Sequence, residues 1–155
     1  MKTLPIISFF LLIALAANTQ VYWEGNTPGS ETDWMEPQNW SAGQVPGWKD
    51  DVVIPWQSHG LYPEVSCVAP LIQSLQVQKG AALTIQPEGV LTVDAAKKEE
   101  GGILLNGYLF NFGVLTLTEM ELAPVESQLS HLDNHGVCSL VTDDGHIPLL
   151  GRENQ

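Results

Sequence analysis

The run SLQVQKGAALTIQPEGVLTVDAAK, Ser74 to Lys97, decides the fold. Leu75, Leu83 and Leu91 are eight residues apart, as are Val77, Ile85 and Val93. One polar residue (Gln76, Thr84 or Thr92) separates each pair. Period-two alternation rich in Leu, Val, Ile and Thr predicts short strands, and Lys79-Gly80 and Glu88-Gly89 supply turns between them. Further on, "VLTL" (Val114 to Leu117) repeats "VLTV" (Val90 to Val93) at an offset of 24, which Ile85 and Leu109 share. Three eight-residue sides close one 24-residue coil, and equivalent residues then stack on the next coil. The expectation is an all-β chain, a short right-handed parallel β-helix. An antiparallel β-sandwich of hairpins is the alternative; the repeated apolar phase favours the solenoid. Asn106-Gly107 and Asn111-x-Gly113 suit its corners, where stacked Asn side chains can bond to one another. Ala95 to Gly102 reads as a protruding loop.

A short solenoid exposes apolar core and strand edges at each end, so it needs caps. The segment DWMEPQNWSAGQVPGWKDDVVIP, Asp33 to Pro55, precedes the first regular coil and holds three of the five tryptophans. Residues 21–65 offer a single clear strand, Asp51 to Pro55. Large rings can cover a neighbouring core without regular structure. Trp23, Trp34, Asn39, Trp40, Pro46, Asp50 and Asp51 are therefore assigned to a structural cap, with the two acids taking backbone N–H groups at the strand entrance. The expected organisation is 1–19 signal peptide, 20–72 tryptophan-rich cap and first strand, 73–122 solenoid coils, and 123–155 a C-terminal extension.

In order, Trp23-Glu24-Gly25, Asp33-Trp34, Asn39-Trp40-Ser41, Gly43, Val45-Pro46 and Asp50-Asp51-Val52-Val53-Ile54-Pro55 form the pattern W-x-G…D-W…N-W-S-x-G-x-V-P…D-D-V-x-I-P. With SLQVQKGAALTI, Ser74 to Ile85, this resembles secreted and surface β-helix proteins of the Bacteroidetes over residues 21–118. The resemblance implies an exported module, adhesin-like and without catalytic residues. Trp48 and Trp56 fall outside the pattern. With Tyr62 they are the candidate ligand-contact residues of a competing reading, a carbohydrate-binding module.

Met1-Lys2-Thr3, an apolar run from Leu4 to Ala17 and the small residues around Ala14 to Thr19 read as a signal peptide. The apolar run is shorter than the roughly 20 residues a spanning helix needs. The expected location is secreted or cell-surface, with the periplasm open, and no membrane insertion after cleavage. Loss of Lys2 leaves five basic against 18 acidic residues, a formal charge of 5 − 18 = −13. That argues against nucleic acid and anionic membranes; the expected partner is a protein or glycan at a cell surface.

Cys67 and Cys138 form a disulfide after export or stand as two small buried thiols. The chain carries no phosphate loop, nucleophile elbow or zinc-protease motif, so a non-enzymatic role in adhesion or as an assembly scaffold is expected. No cofactor is assigned. Calcium at Asp50-Asp51, Glu99-Glu100 or Asp143-Asp144 is the weaker alternative, and zinc on His131, His135 and Cys138 is weighed against surface histidines.

Overall fold

The computed structural model describes residues 19–94, 102–118, 131–142 and 145–148. The expected signal peptide through residue 18, the loop at 95–101 and the acid pairs Glu99-Glu100 and Asp143-Asp144 lie outside the described residues. What is described is a short parallel β-helix with almost no helix.

Strand β1 (Thr19–Tyr22) belongs to the cap. The first coil holds β2 (Asp50–Ile54) and β3 (Glu64–Val65), and the second β4 (Ser74–Val77), β5 (Ala82–Ile85) and β6 (Val90–Asp94). β7 (Ile103–Leu105), β8 (Tyr108–Asn111) and β9 (Val114–Thr118) make the third. β10 (Leu132–Asn134) and β11 (Val137–Thr142) continue into a fourth, and β12 (Gly145–Pro148) follows. Equivalent strands stack into three sheets: β1-β2-β4-β7, β3-β5-β8-β10 and β6-β9-β11-β12. Pairing is parallel throughout except between β11 and β12. Parallel ladders between coils exclude the hairpin sandwich, whose neighbouring strands run antiparallel.

The eight-residue spacing has its expected cause. Leu75, Leu83 and Leu91 all point inward and are buried, as are Ile103, Leu109 and Leu115 beneath them. Each such side chain contributes about 1.5–3 kcal/mol on burial.

A uniform 24-residue offset does not hold. Leu91 stacks on Leu115 at 24, but Leu83 stacks on Leu109 at 26 (109 − 83) and Leu75 on Ile103 at 28 (103 − 75). Ile85 therefore meets Asn111, not Leu109. The reason is corner length. Residues 78–81 and 86–89 turn the corners of the second coil, whereas two-residue corners, 106–107 and 112–113, turn those of the third.

Corner glycines allow the coils to approach. A Cβ on Gly113 would fall inside the carbonyl oxygens of Gln86 and Gly89, and one on Gly136 would overlap the Gly113 carbonyl. Gly89, Gly113 and Gly136 thus form a column in which any side chain forces two coils apart. Beside it the expected asparagine contact is present: buried Asn111 donates through Nδ2 to Asn134 Oδ1 at 2.7 Å and to the Val137 carbonyl at 3.0 Å.

Three expectations are corrected. Residues 131–142 are a further coil of the solenoid, with β10 on β8 and β11 on β9, rather than part of an extension. Residues 21–65 contain β3 and the end of β1 as well as β2. Cys67 and Cys138 do not form a disulfide; both thiols are free. Cys67 is exposed on the first coil, whereas Cys138 points inward beneath Leu115, which itself lies beneath Leu91. Three coil steps of about 4.8 Å each separate the first coil from the fourth, which exceeds disulfide reach. Cys138 replaces a core leucine, and burial pushes its thiol up to about 11.

Candidate functional site

The cap is organised around Asn39. Its side chain is fully buried and engaged at both ends: Oδ1 accepts from Thr27 N at 3.0 Å, and Nδ2 donates to the Ser30 and Asp33 carbonyls at 2.6 and 3.0 Å. Its own carbonyl accepts from Glu24 N and Gly25 N. Trp40 packs edge-on against both Trp23 and Trp34, at 4.9 and 4.7 Å between ring centres, and all three rings are buried. Trp40 Nε1 donates to the Trp34 carbonyl and Trp23 Nε1 to the Leu61 carbonyl. Ser41 Oγ accepts from Tyr22 N, tying the end of β1. A glycan cannot be attached to Asn39 without dismantling this centre. β1 covers sheet one, and a bridge between Asp33 and Glu64 covers the edge of sheet two.

Asp50 and Asp51 both have structural partners. Asp50 Oδ2 accepts from Gly47 N at 2.8 Å, closing the turn from Gly47 to Asp50 that follows Pro46, while Asp51 Oδ1 accepts from the Ser74 hydroxyl. Asp51 thus bridges two coils.

Of the sequence-derived ligand contacts, Trp56 and Tyr62 meet at one turn, and Trp48 stands apart from both. Trp48 is 59 % exposed, with Lys49 Nζ 4.4 Å from its ring centre, and stands before β2. Trp56, 60 % exposed, follows β2, so the strand places about 15 Å of extended chain between the two. Trp56 lies against Gly80, where an added Cβ would come within 2.9 Å of its Cδ1. Tyr62 serves the same turn: its hydroxyl donates to the Gly80 carbonyl at 2.9 Å and accepts from Gln57 N at 3.2 Å. Tyr62 is a structural tie.

Zinc does not fit His131, His135 and Cys138. Cys138 faces the core, while the two histidines lie on the outer surface on either side of β10. Among the described residues, no three His, Cys, Asp or Glu side chains converge as metal ligands.

The outer face of sheet two carries the most distinctive surface. Three outward positions recur on successive coils. Ala82, Thr84 and Gln86 lie on the second; Tyr108, Phe110 and Phe112 on the third; His131, Asp133 and His135 on the fourth. Strand geometry fixes the grid, with about 4.8 Å between coils and about 6.8 Å between alternate residues. Tyr108 and Phe110 lie in nearly parallel planes, 6.2 Å between centres. Phe112 stacks on His135 at 5.3 Å, and Tyr108 meets His131 edge-on at 5.7 Å. Tyr108 is 54 % and Phe112 42 % exposed. Asp133 Oδ1 lies 3.1 Å from His135 Nε2, and Gln86 Nε2 donates to Glu64 Oε2 at 2.8 Å. A shallow groove of about 580 Å³ adjoins this face, lined by Gln76, Gln78, Lys79, Asn106 and His131. Sequence reasoning missed these rings. Their signal is the alternation Tyr108-x-Phe110-x-Phe112 around inward Leu109 and Asn111.

Residues 22–106 match a family described as "Domain of unknown function (DUF8693)", 85 of the 155 residues. The chain belongs to the DUF8693 family. The match spans the tryptophan cap and the solenoid as far as the corner after β7. The aromatic strand β8 of this DUF8693 protein begins immediately beyond it. No curated protein and no solved structure matches the chain.

Proposed function

We propose that the protein is an exported, non-enzymatic recognition module that presents the outer face of sheet two to a partner at a cell surface, in adhesion or assembly. The observation that carries this reading is the row Tyr108-Phe110-Phe112, with two large rings left about half exposed on a rigid sheet. Aromatic side chains concentrate contact energy at recognition surfaces, and single exposed apolar residues need no such account. Export is supported by the amino-terminal sequence pattern and by the likeness to secreted Bacteroidetes β-helix proteins. A non-enzymatic role is supported by the engagement of Asp50 and Asp51 in structural hydrogen bonds.

The test has two parts. Antibody staining of unbroken cells, with fractionation, should find the protein at the surface or in the medium; retention in the cytoplasm overturns the export part. Fluorescently labelled mature protein should then attach to intact cells of the organism that makes it. The double variant Tyr108→Ala, Phe112→Ala should attach at least about tenfold less. No attachment, or attachment indifferent to the two rings, overturns the recognition part.

A further inference from the structure

We infer that the face of sheet two binds an uncharged polysaccharide, which runs along β8 from the groove beside His131 across Tyr108, Phe110 and Phe112. This names the ligand class of the face proposed above and rests on that reading.

Three observations point to this chemistry. First, the rings form a line. They occupy alternate positions of one strand, at a spacing comparable with one sugar unit, and Tyr108 and Phe110 share nearly one plane orientation. A pyranose presents apolar C–H faces and hydroxylated edges, so a chain of them needs apolar rings in series with polar groups alongside. Second, those polar groups are present on both sides. Asp133 and the histidines flank the rings on the fourth coil, and Thr84, Gln86 and Glu64 on the coils above. The groove that continues the line past Tyr108 is lined by amides, namely Gln76, Gln78 and Asn106, together with Lys79 and His131. Amides and carboxylates are the donors and acceptors that hydroxyl groups require.

Third, the charge selects a neutral ligand. The full chain carries a formal charge of −12, and Lys49 and Lys79 are its only described lysines or arginines. An anionic polymer would meet Asp133 and Glu64 with a single lysine to offset them. A protein partner is a separate class. It would favour a wide apolar centre with a polar rim, whereas here the line of rings is one strand wide, with Thr84 and Gln86 on one side and His131, Asp133 and His135 on the other.

The test is retention of the full mature chain on insoluble cellulose, chitin, curdlan and mannan, and mobility shift in gels containing soluble xyloglucan. Alginate and polygalacturonate serve as anionic probes. At least one neutral polymer should retain the protein, and the Tyr108→Ala, Phe112→Ala variant should weaken retention about tenfold or more. Asp133→Asn, which leaves the rings in place, should shift affinity less. Trp48→Ala with Trp56→Ala should leave it unchanged. Circular dichroism and a urea midpoint confirm that each variant is folded; should the ring double variant unfold, Phe112→Ser alone replaces it. Failure of every neutral polymer to bind, binding only to the anionic polymers, or binding that survives loss of the rings overturns the inference. If cells are bound through the rings while no neutral polysaccharide is, the ligand is a protein and the recognition reading stands. If ring-dependent attachment to cells is also absent, both fall.

Discussion

Replacing Asn39 by alanine should unfold the cap before it disturbs any coil. The side chain is fully buried and makes three hydrogen bonds, to Thr27 N and to the carbonyls of Ser30 and Asp33. A net value of about 1 kcal/mol each gives a loss of about 3 kcal/mol. Urea denaturation followed by tryptophan fluorescence suits the measurement, because Trp40 is the next residue and packs against Trp23 and Trp34. With a slope near 2 kcal/mol/M the midpoint should fall by about 1.5 M. Asn39→Asp sharpens the test. It keeps an acceptor for Thr27 N but turns an oxygen toward two carbonyls. Its cost near neutral pH should match or exceed that of alanine. Burial against two carbonyls raises the folded-state pKa, so the cost should shrink as pH falls toward about 4 and level off below it, where the carboxyl is protonated in both states and can donate again. If either variant stays within about 0.5 kcal/mol of the parent, Asn39 does not organise the cap and the argument for it is refuted.

Gly113→Ala should cost about 3 kcal/mol, since a methyl there meets two carbonyl oxygens of the coil above. Gly43→Ala, which meets nothing but has φ +64°, should cost only about 1 kcal/mol; equal losses in urea melts would refute the close-approach argument. Acrylamide should quench two tryptophans, Trp48 and Trp56, and spare Trp23, Trp34 and Trp40, as measured with single Trp→Phe variants. For Cys138, folding raises the thiol from 9.0 to about 11. The unfolded chain therefore loses its proton first as pH rises, so stability should hold below about pH 9 and decline between about 9 and 11. The decline approaches 3 kcal/mol relative to Cys138→Val, by urea melts across that range; identical pH profiles would count against the burial argument. A thiol reagent should correspondingly titrate Cys67 in the native reduced protein and reach Cys138 only on unfolding.

The strands around Leu75, Leu83 and Leu91 were legible because alternation and β-branching coincide there. The stacking register was less so. Apolar phase reports which residues face inward, but corner length decides which residue each one meets, and Ile85 meets Asn111 for that reason alone. The fourth coil was also written in the chain: LDNHGVCSL, Leu132 to Leu140, repeats LFNFGVLTL, Leu109 to Leu117, at 23 residues. Cys138 and Ser139 in place of Leu115 and Thr116 disguise it. Tyr108, Phe110 and Phe112 escaped notice because apolar residues occupy both faces of β8, which hides the period of two. The role of Asn39 has no periodic signature, since its partners depend on how an irregular segment closes.

That 23-residue step has an evolutionary consequence. Residues of sheets two and three on one coil contact the coils above and below through repeated corners of equal length, Asn111-Phe112-Gly113-Val114 and Asn134-His135-Gly136-Val137. An in-frame duplication of one such unit inserts sheet-two and sheet-three strands whose register is already satisfied on both sides. Each added unit extends the outward grid by three side chains, so valency can grow by gene duplication while the tryptophan plug at one end stays untouched.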